Sequence, residues 1–256
     1  MPNQHGAWAM LAVPIAAGIA LRTPVATHVP LLAACCVLGY FAFHAASRWL
    51  KSPPARRARY LPATLVYTVT TVAAGAGAVL LGGWPLLGWL AVFAALLAPA
   101  LQLALARRER ALLGGALTTA AACLIPLALA YPSPAELLTD WPDARAAVLL
   151  SATLFGYFFG TVLHVKSLIR ERGNTRLERV SLAWQLAWAI AAAALWGGPT
   201  GWLWAAIFGL ATVRTVVLAR LARRRPVRPI VIGMIEIGLS VLVLAGALWT
   251  ASHPAG

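Results

Sequence analysis

Apolar residues run along this chain in long blocks, interrupted at regular intervals by polar and basic clusters. The blocks lie at 7–21, 29–47, 62–81, 85–106, 111–130, 146–165, 180–196, 200–222 and 229–250. Most reach the roughly 17–25 residues that a helix needs to cross the hydrocarbon core. The pattern predicts an all-α, polytopic membrane protein with nine transmembrane helices. The first block is short and carries Pro14, and the seventh is also short. The first lacks the cationic flank of a signal peptide and many apolar segments follow it, so it reads as a retained membrane helix.

The interruptions alternate in charge. The connections after the second, fourth, sixth and eighth blocks hold all but Arg22 and Arg145 of the 21 Lys and Arg residues, Arg214 being counted with the last cluster. The opposite connections, "RTPVATH", "GGW", "YPSPAELLTDWPDAR" and "GGPTG", are neutral or acidic and include Glu136, Asp140 and Asp143. Basic loops stay cytoplasmic, so the N-terminus is expected in the cytoplasm and the C-terminus outside.

Composition agrees with a membrane protein. The chain is 61% hydrophobic and 11% charged, against about 25% charged in soluble domains. The net charge of +14 follows from the loop asymmetry, so no nucleic-acid partner is needed; membrane lipids are the expected partners. Cys35, Cys36 and Cys123 lie in apolar runs without CxxC spacing and read as small buried hydrophobes, with no metal assigned. Trp84, Trp89, Trp141, Trp196, Trp202 and Trp204 cluster at the outer ends of spans, as an interfacial aromatic belt does. Gly75-x-Gly77 and Gly82–Gly83 lack the strand–turn–helix setting of a nucleotide site.

The ends of the second and sixth blocks share a pattern. "GYFAFHAASRWLK" and "FGTVLHVKSLIRERGN" place His44 and His164 120 positions apart, followed by Ser47 and Ser167, then by Lys51 and Glu171. In H-x-x-S-x-x-x-[K/E] the positions i, i+3 and i+7 share one helical face. Arg48 joins the first set, while Lys166, Arg170 and Asn174 form a stripe beside the second, next to Arg172. The correspondence suggests an internal repeat of about 29–130 and 146–250, and such repeats often carry a binding site.

Two further places attract chemistry. Glu236 lies some eight residues into the last span, where a carboxylate is costly and is expected to face a partner inside the bundle; Arg214 and His5 are the candidates. Asn3, Gln4 and His5 precede the first span, where Asn3 serves as a helix cap or the three line a cavity with the second and sixth spans. Gln102 and Gln185 read as interhelical hydrogen-bond partners.

"PNQHGAWAMLAVP" and "LHVKSLIRERGN" resemble the YwiC-like family of bacterial membrane proteins, which implies a multi-pass protein of the bacterial inner membrane and no defined activity. The nine-span layout, with candidate segments after spans two and six, more distantly resembles the UbiA-type prenyltransferases. That resemblance implies a UbiA-like bundle and an isoprenoid substrate. UbiA-type enzymes hold Mg²⁺ and pyrophosphate with Asp-rich motifs in these two connections; here "HAASRWLKSPPARRARY" contains no acidic residue.

Three readings follow. In the first, an enzyme acts on an amphipathic anionic or isoprenoid lipid in a cavity open to the cytoplasmic leaflet. His44, His164 and Glu171 are its catalytic candidates, and Asn3, Gln4, His5, Arg48, Lys51, Lys166, Arg170, Arg172, Asn174 and Glu236 its binding candidates. In the second, the same basic set serves an anion or lipid transporter in which Glu236 couples protons. In the third, the chain is a non-catalytic accessory protein.

Overall fold

The computed structural model describes residues 5–22, 24–106, 111–224 and 227–253, and every regular element among them is helical. In chain order the elements are α1 (His5–Leu21), α2 (Val29–Lys51), α3 (Pro54–Gly82), a 3₁₀ turn at Trp84–Leu86 and α4 (Leu87–Leu105). Then come α5 (Leu112–Ala130), a single-turn α6 (Glu136–Thr139), α7 (Trp141–Val165), a π-turn at Lys166–Arg170, α8 (Thr175–Trp196), α9 (Gly198–Arg224) and α10 (Pro229–Ser252). Every expected apolar block falls in a helix of its own. By length and hydropathy, seven of these helices among the described residues suit a membrane crossing. The other two are α1, whose apolar part is only Trp8–Leu21, and α8, where Trp184, Gln185, Trp188 and a first turn holding Arg176 and Glu178 dilute the apolar run.

Local chemistry sets the helix ends. Proline lacks an N–H and pushes its predecessor out of helical geometry. Before Pro53 and Pro54, Ser52 accordingly turns extended at φ −76° and ψ 141°, which ends α2. Between α8 and α9 the chain reverses through Gly197 at φ 62° and Gly198 at φ 46°, a left-handed pair that side chains other than glycine adopt only with strain.

The chain folds as two compact units, residues 21–144 and residues 1–20 with 145–256. In the first, α2 lies against α3 and α4 against α5, and α2 also touches α4 and α5. Trp89 Nε1 donates to the Tyr131 carbonyl at 2.8 Å, and the Tyr131 hydroxyl donates to the Asp143 carbonyl at 3.1 Å. Arg22 lies over the Tyr131 ring at 4.5 Å. In the second unit α8 packs on α9 and α9 on α10, and Trp184 Nε1 donates to the Gly156 carbonyl of α7 at 2.8 Å.

The expected aromatic belt divides in two. Trp84, Trp141 and Trp202 are exposed, whereas Trp89, Trp196 and Trp204 are buried. Each buried indole N–H has found an acceptor, Trp196 on Thr153 and Trp204 on Thr250, both at 3.0 Å. These three are core residues tied by hydrogen bonds. Cys123 is buried, while Cys35 and Cys36 are only half-buried.

Candidate functional site

Four helices of the second unit turn a polar-bearing face inward. On α7 it is Tyr157, Gly160, Thr161 and His164, at spacing i, i+3, i+4, i+7. On α8 it is Ser181 and Gln185, on α9 Phe208, Ala211, Arg214, Thr215 and Leu218, and on α10 Ile232, Glu236, Ser240 and Val243; all of these are buried. Gly160 has a packing reason, since a Cβ there would collide with the Gln185 amide.

Glu236 is the centre of this interior. It lies seven residues into α10, about 10 Å along the helix at 1.5 Å per residue. Its two carboxylate oxygens each accept from Nη1 of Arg214 at 2.6 Å, and Oε2 also accepts from the Thr161 hydroxyl at 3.3 Å. Three helices are thereby tied through one carboxylate. Arg214 therefore does not belong to a loop cluster; it stands inside α9 and is 6% exposed. It is also one of the two partners expected for Glu236. Placing a lone charge at mid-membrane costs about 2.5–3.5 kcal/mol on insertion scales, which is why these two occur together.

The pair does not exhaust the polar groups around it. Among the described residues, Nε and Nη2 of Arg214, both ring nitrogens of His164, the Ser181 hydroxyl and both amide atoms of Gln185 are buried with no hydrogen-bond partner. Gln185, expected to bond across helices, thus has an unengaged amide, and Gln102 is exposed. His164 is fully buried and within electrostatic reach of Arg214. The Tyr157 hydroxyl lies beside Ser240 and Thr161. An unsatisfied donor in a lipid-embedded bundle costs several kcal/mol, so this concentration of them is a feature to explain.

Apolar layers close the polar layer on two sides. Toward the Arg-rich ends of the helices, Leu168, Leu218, Ala222 and Ile232 form a buried cluster, with Val165, Val227 and Ile235 against it. In the other direction Leu150, Leu154, Trp204, Phe208 and Val243 are buried, and Phe208 stacks on Trp188 with ring centroids 6.0 Å apart.

The candidate residues near His164 separate. A straight α-helix would put His164, Ser167 and Glu171 on one face. Instead α7 passes into the π-turn, whose i→i+5 bond runs from the Glu171 N–H to the Lys166 carbonyl at 2.9 Å, and the extra residue per turn rotates Glu171 away. The Ser167 hydroxyl donates to the His164 carbonyl at 2.8 Å. Glu171 pairs with Lys166 at 3.0 Å and accepts from Asn174 Nδ2 at 2.9 Å. These two hydrogen bonds hold its carboxyl below the usual carboxylate range, Lys166 first.

Asn174, expected in a basic stripe, is instead the N-cap of α8, its Oδ1 accepting from the Leu177 N–H at 3.1 Å. "Gly-Asn" ahead of an apolar run is a recognisable helix start. Arg172 donates through Nη2 to the Ala222 carbonyl at 2.6 Å, near the end of α9, where a helix has unpaired carbonyls. Arg170 is exposed.

In the other unit Arg48 is exposed, His44 and Lys51 are half-buried and engaged with neighbours, and Ser47 is buried. Asn3 and Gln4 lie outside the described residues, as does the His5 side chain, although His5 begins α1. Among the described residues no three His, Cys, Asp or Glu side chains come together as metal ligands.

Repeated apolar helices, with Arg214 and Glu236 the buried ionisable pair among the described residues, define a multi-pass integral membrane protein. A family model for YwiC-like proteins matches residues 1–131, just over half of the chain. The chain belongs to the YwiC-like family. The "PNQHGAWAMLAVP" motif lies within the match, and the Arg214–Glu236 centre lies beyond it. Neither a curated protein nor a solved structure matches the chain.

Proposed function

We propose that this YwiC-like protein is a proton-linked membrane carrier or binding protein for an anion, worked by the buried centre of α7, α9 and α10. The carrying observation is Arg214, a buried guanidinium that meets Glu236 through one nitrogen and keeps two unengaged. Ionisable residues inside membrane bundles are costly and typically mark ion, proton or substrate paths. In this reading Glu236 exchanges the proton. The groups facing it are Arg214 from α9 and Thr161 and Tyr157 from α7, and His164 lies within electrostatic reach of Arg214. Protonating Glu236 removes the negative charge beside Arg214, so the unengaged donors of the guanidinium attract an anion more strongly. The layer of Leu168, Leu218 and Ile232 serves as the gate on the basic side.

The proposal includes nine spans with the N-terminus cytoplasmic and the C-terminus outside, placement in a bacterial inner membrane, and the repeat of 29–130 and 146–250. It is preferred to a UbiA-like enzyme using His44, His164 and Glu171 because several residues of that enzyme's binding set have other duties. Lys166 is engaged by Glu171, Arg172 closes α9 and Asn174 caps α8.

The test is flux from proteoliposomes holding a pH dye and loaded with inorganic phosphate or succinate. Wild-type protein should move protons with one of these anions down its gradient, and Glu236→Gln should separate anion movement from proton movement. Flux equal to that of protein-free vesicles, or a Glu236→Gln variant with unchanged proton coupling, would refute the carrier reading.

A further inference from the structure

The planar guanidinium of arginine presents N–H groups in a fork whose geometry matches the two oxygens of a carboxylate or phosphate. One such edge is Nε with Nη2. Glu236 leaves that edge alone, since both its oxygens lie on Nη1. Arg214 therefore holds its counter-ion through a single nitrogen and keeps the two-donor edge, buried and without partners among the described residues.

We infer that the Nε–Nη2 edge of Arg214, together with the His164 ring, is a binding site for an oxoanion group, a carboxylate or phosphate whose two oxygens lie side by side. The inference rests on the carrier reading and gives it a substrate class and an address. Glu236 fixes the guanidinium from Nη1, so the fork is preorganised before the ligand arrives. His164 supplies a nitrogen donor from α7 in the same buried layer. The arrangement favours an oxoanion over halide, because two oxygens each meet one N–H in line, whereas a single halide must share both donors at bent angles. A π-turn beginning two residues after His164 is a further mark of specialisation, because π segments within helices recur at functional sites. The Ser181 and Gln185 groups, unpartnered on α8, are available to polar parts of the ligand beyond its charged head.

The experiment is thermal unfolding of the full-length protein in zwitterionic nanodiscs, titrated with inorganic phosphate, with acetate, and with chloride at matched ionic strength. A parallel set of nanodiscs contains phosphatidic acid, which separates a lipid headgroup from a free anion. Phosphate, acetate or phosphatidic acid should raise Tm with saturation while chloride does not. Arg214→Lys keeps the charge and the Glu236 pair but removes the fork, and should weaken apparent affinity about tenfold or more, the equivalent of one charged hydrogen bond. His164→Gln leaves the ion pair untouched and should weaken it severalfold, which decides the matter if the lysine variant does not fold. No saturable shift with any oxoanion, a shift matched by chloride, or shifts unchanged in both variants would overturn the inference. Saturable binding without proton-linked flux would refute the carrier reading and leave this site standing.

Discussion

The unit of residues 21–144 and the unit of residues 1–20 with 145–256 are built from similar material and treat polarity differently. In the first, α3 has 6% of its apolar window buried, and Leu65, Val66, Val69, Val72 and Leu80 are among its exposed residues. No Asp, Glu, Lys or Arg among its described residues is buried. In the second, 61% of the apolar window of Trp141–Arg170 is buried, and Arg214 and Glu236 sit inside with His164. His44 and His164 head the same H-x-x-S pattern, yet their surroundings diverge. At the 120-residue offset that aligns them, Arg214 and Glu236 correspond to Ala94 and Ala116. A shared motif at a helix end therefore does not by itself make a site; the opposing helices must bring charge to meet it.

The strongest way to break this contrast is to remove one charge. Arg214→Ala or Glu236→Ala leaves an uncompensated ion in the bundle and should destabilise by about 3–5 kcal/mol. Read as thermal unfolding, that is a Tm loss on the order of 10 °C at roughly 2–4 °C per kcal/mol. The double replacement Arg214→Leu/Glu236→Leu should recover most of it, because an apolar pair leaves nothing unpaired. A weaker effect is expected at the ends of the helices. Asn174→Ala removes the α8 cap and should cost about 1 kcal/mol, seen as a smaller Tm loss.

Smaller again is a pH-dependent effect at Glu171. Its carboxyl is held below the ordinary range by Lys166 and then Asn174, so its contribution is present above the unfolded pKa of about 4.3. That contribution is lost as pH falls through the lowered folded value. The Tm difference between wild type and Glu171→Gln should therefore shrink on acidification below about pH 4. At the far end of the scale, Arg48→Ala in the first unit, at an exposed position, should stay within about 0.5 kcal/mol.

Much of the architecture was legible because apolar blocks long enough to span a membrane leave little choice but helix. Glu236 stood out because a carboxylate in an apolar run is costly, and that cost also pointed to Arg214. What sequence reading missed has two causes. Lys166, Arg170 and Asn174 look like a stripe beside Arg172 when a straight helix is assumed, but the π-turn after Val165 changes the angular spacing, and Lys166 pairs with Glu171, Arg172 meets the Ala222 carbonyl and Asn174 caps α8. Periodicity carries no signal of that extra residue. The orphaned edge of Arg214 was equally out of reach, since it depends on which nitrogen the carboxylate occupies. The basic stripe was the conspicuous feature in sequence; the buried pair is the one the fold protects.

The most direct test of the account is a comparison of wild type with Arg214→Leu/Glu236→Leu by native mass spectrometry, each released from mild detergent after incubation with inorganic phosphate or phosphatidic acid. A bound oxoanion is expected on the wild type and none on the double variant, with the two proteins unfolding at similar temperatures. An adduct retained by a folded double variant would contradict it, and would move the functional centre out of the interior of the second unit.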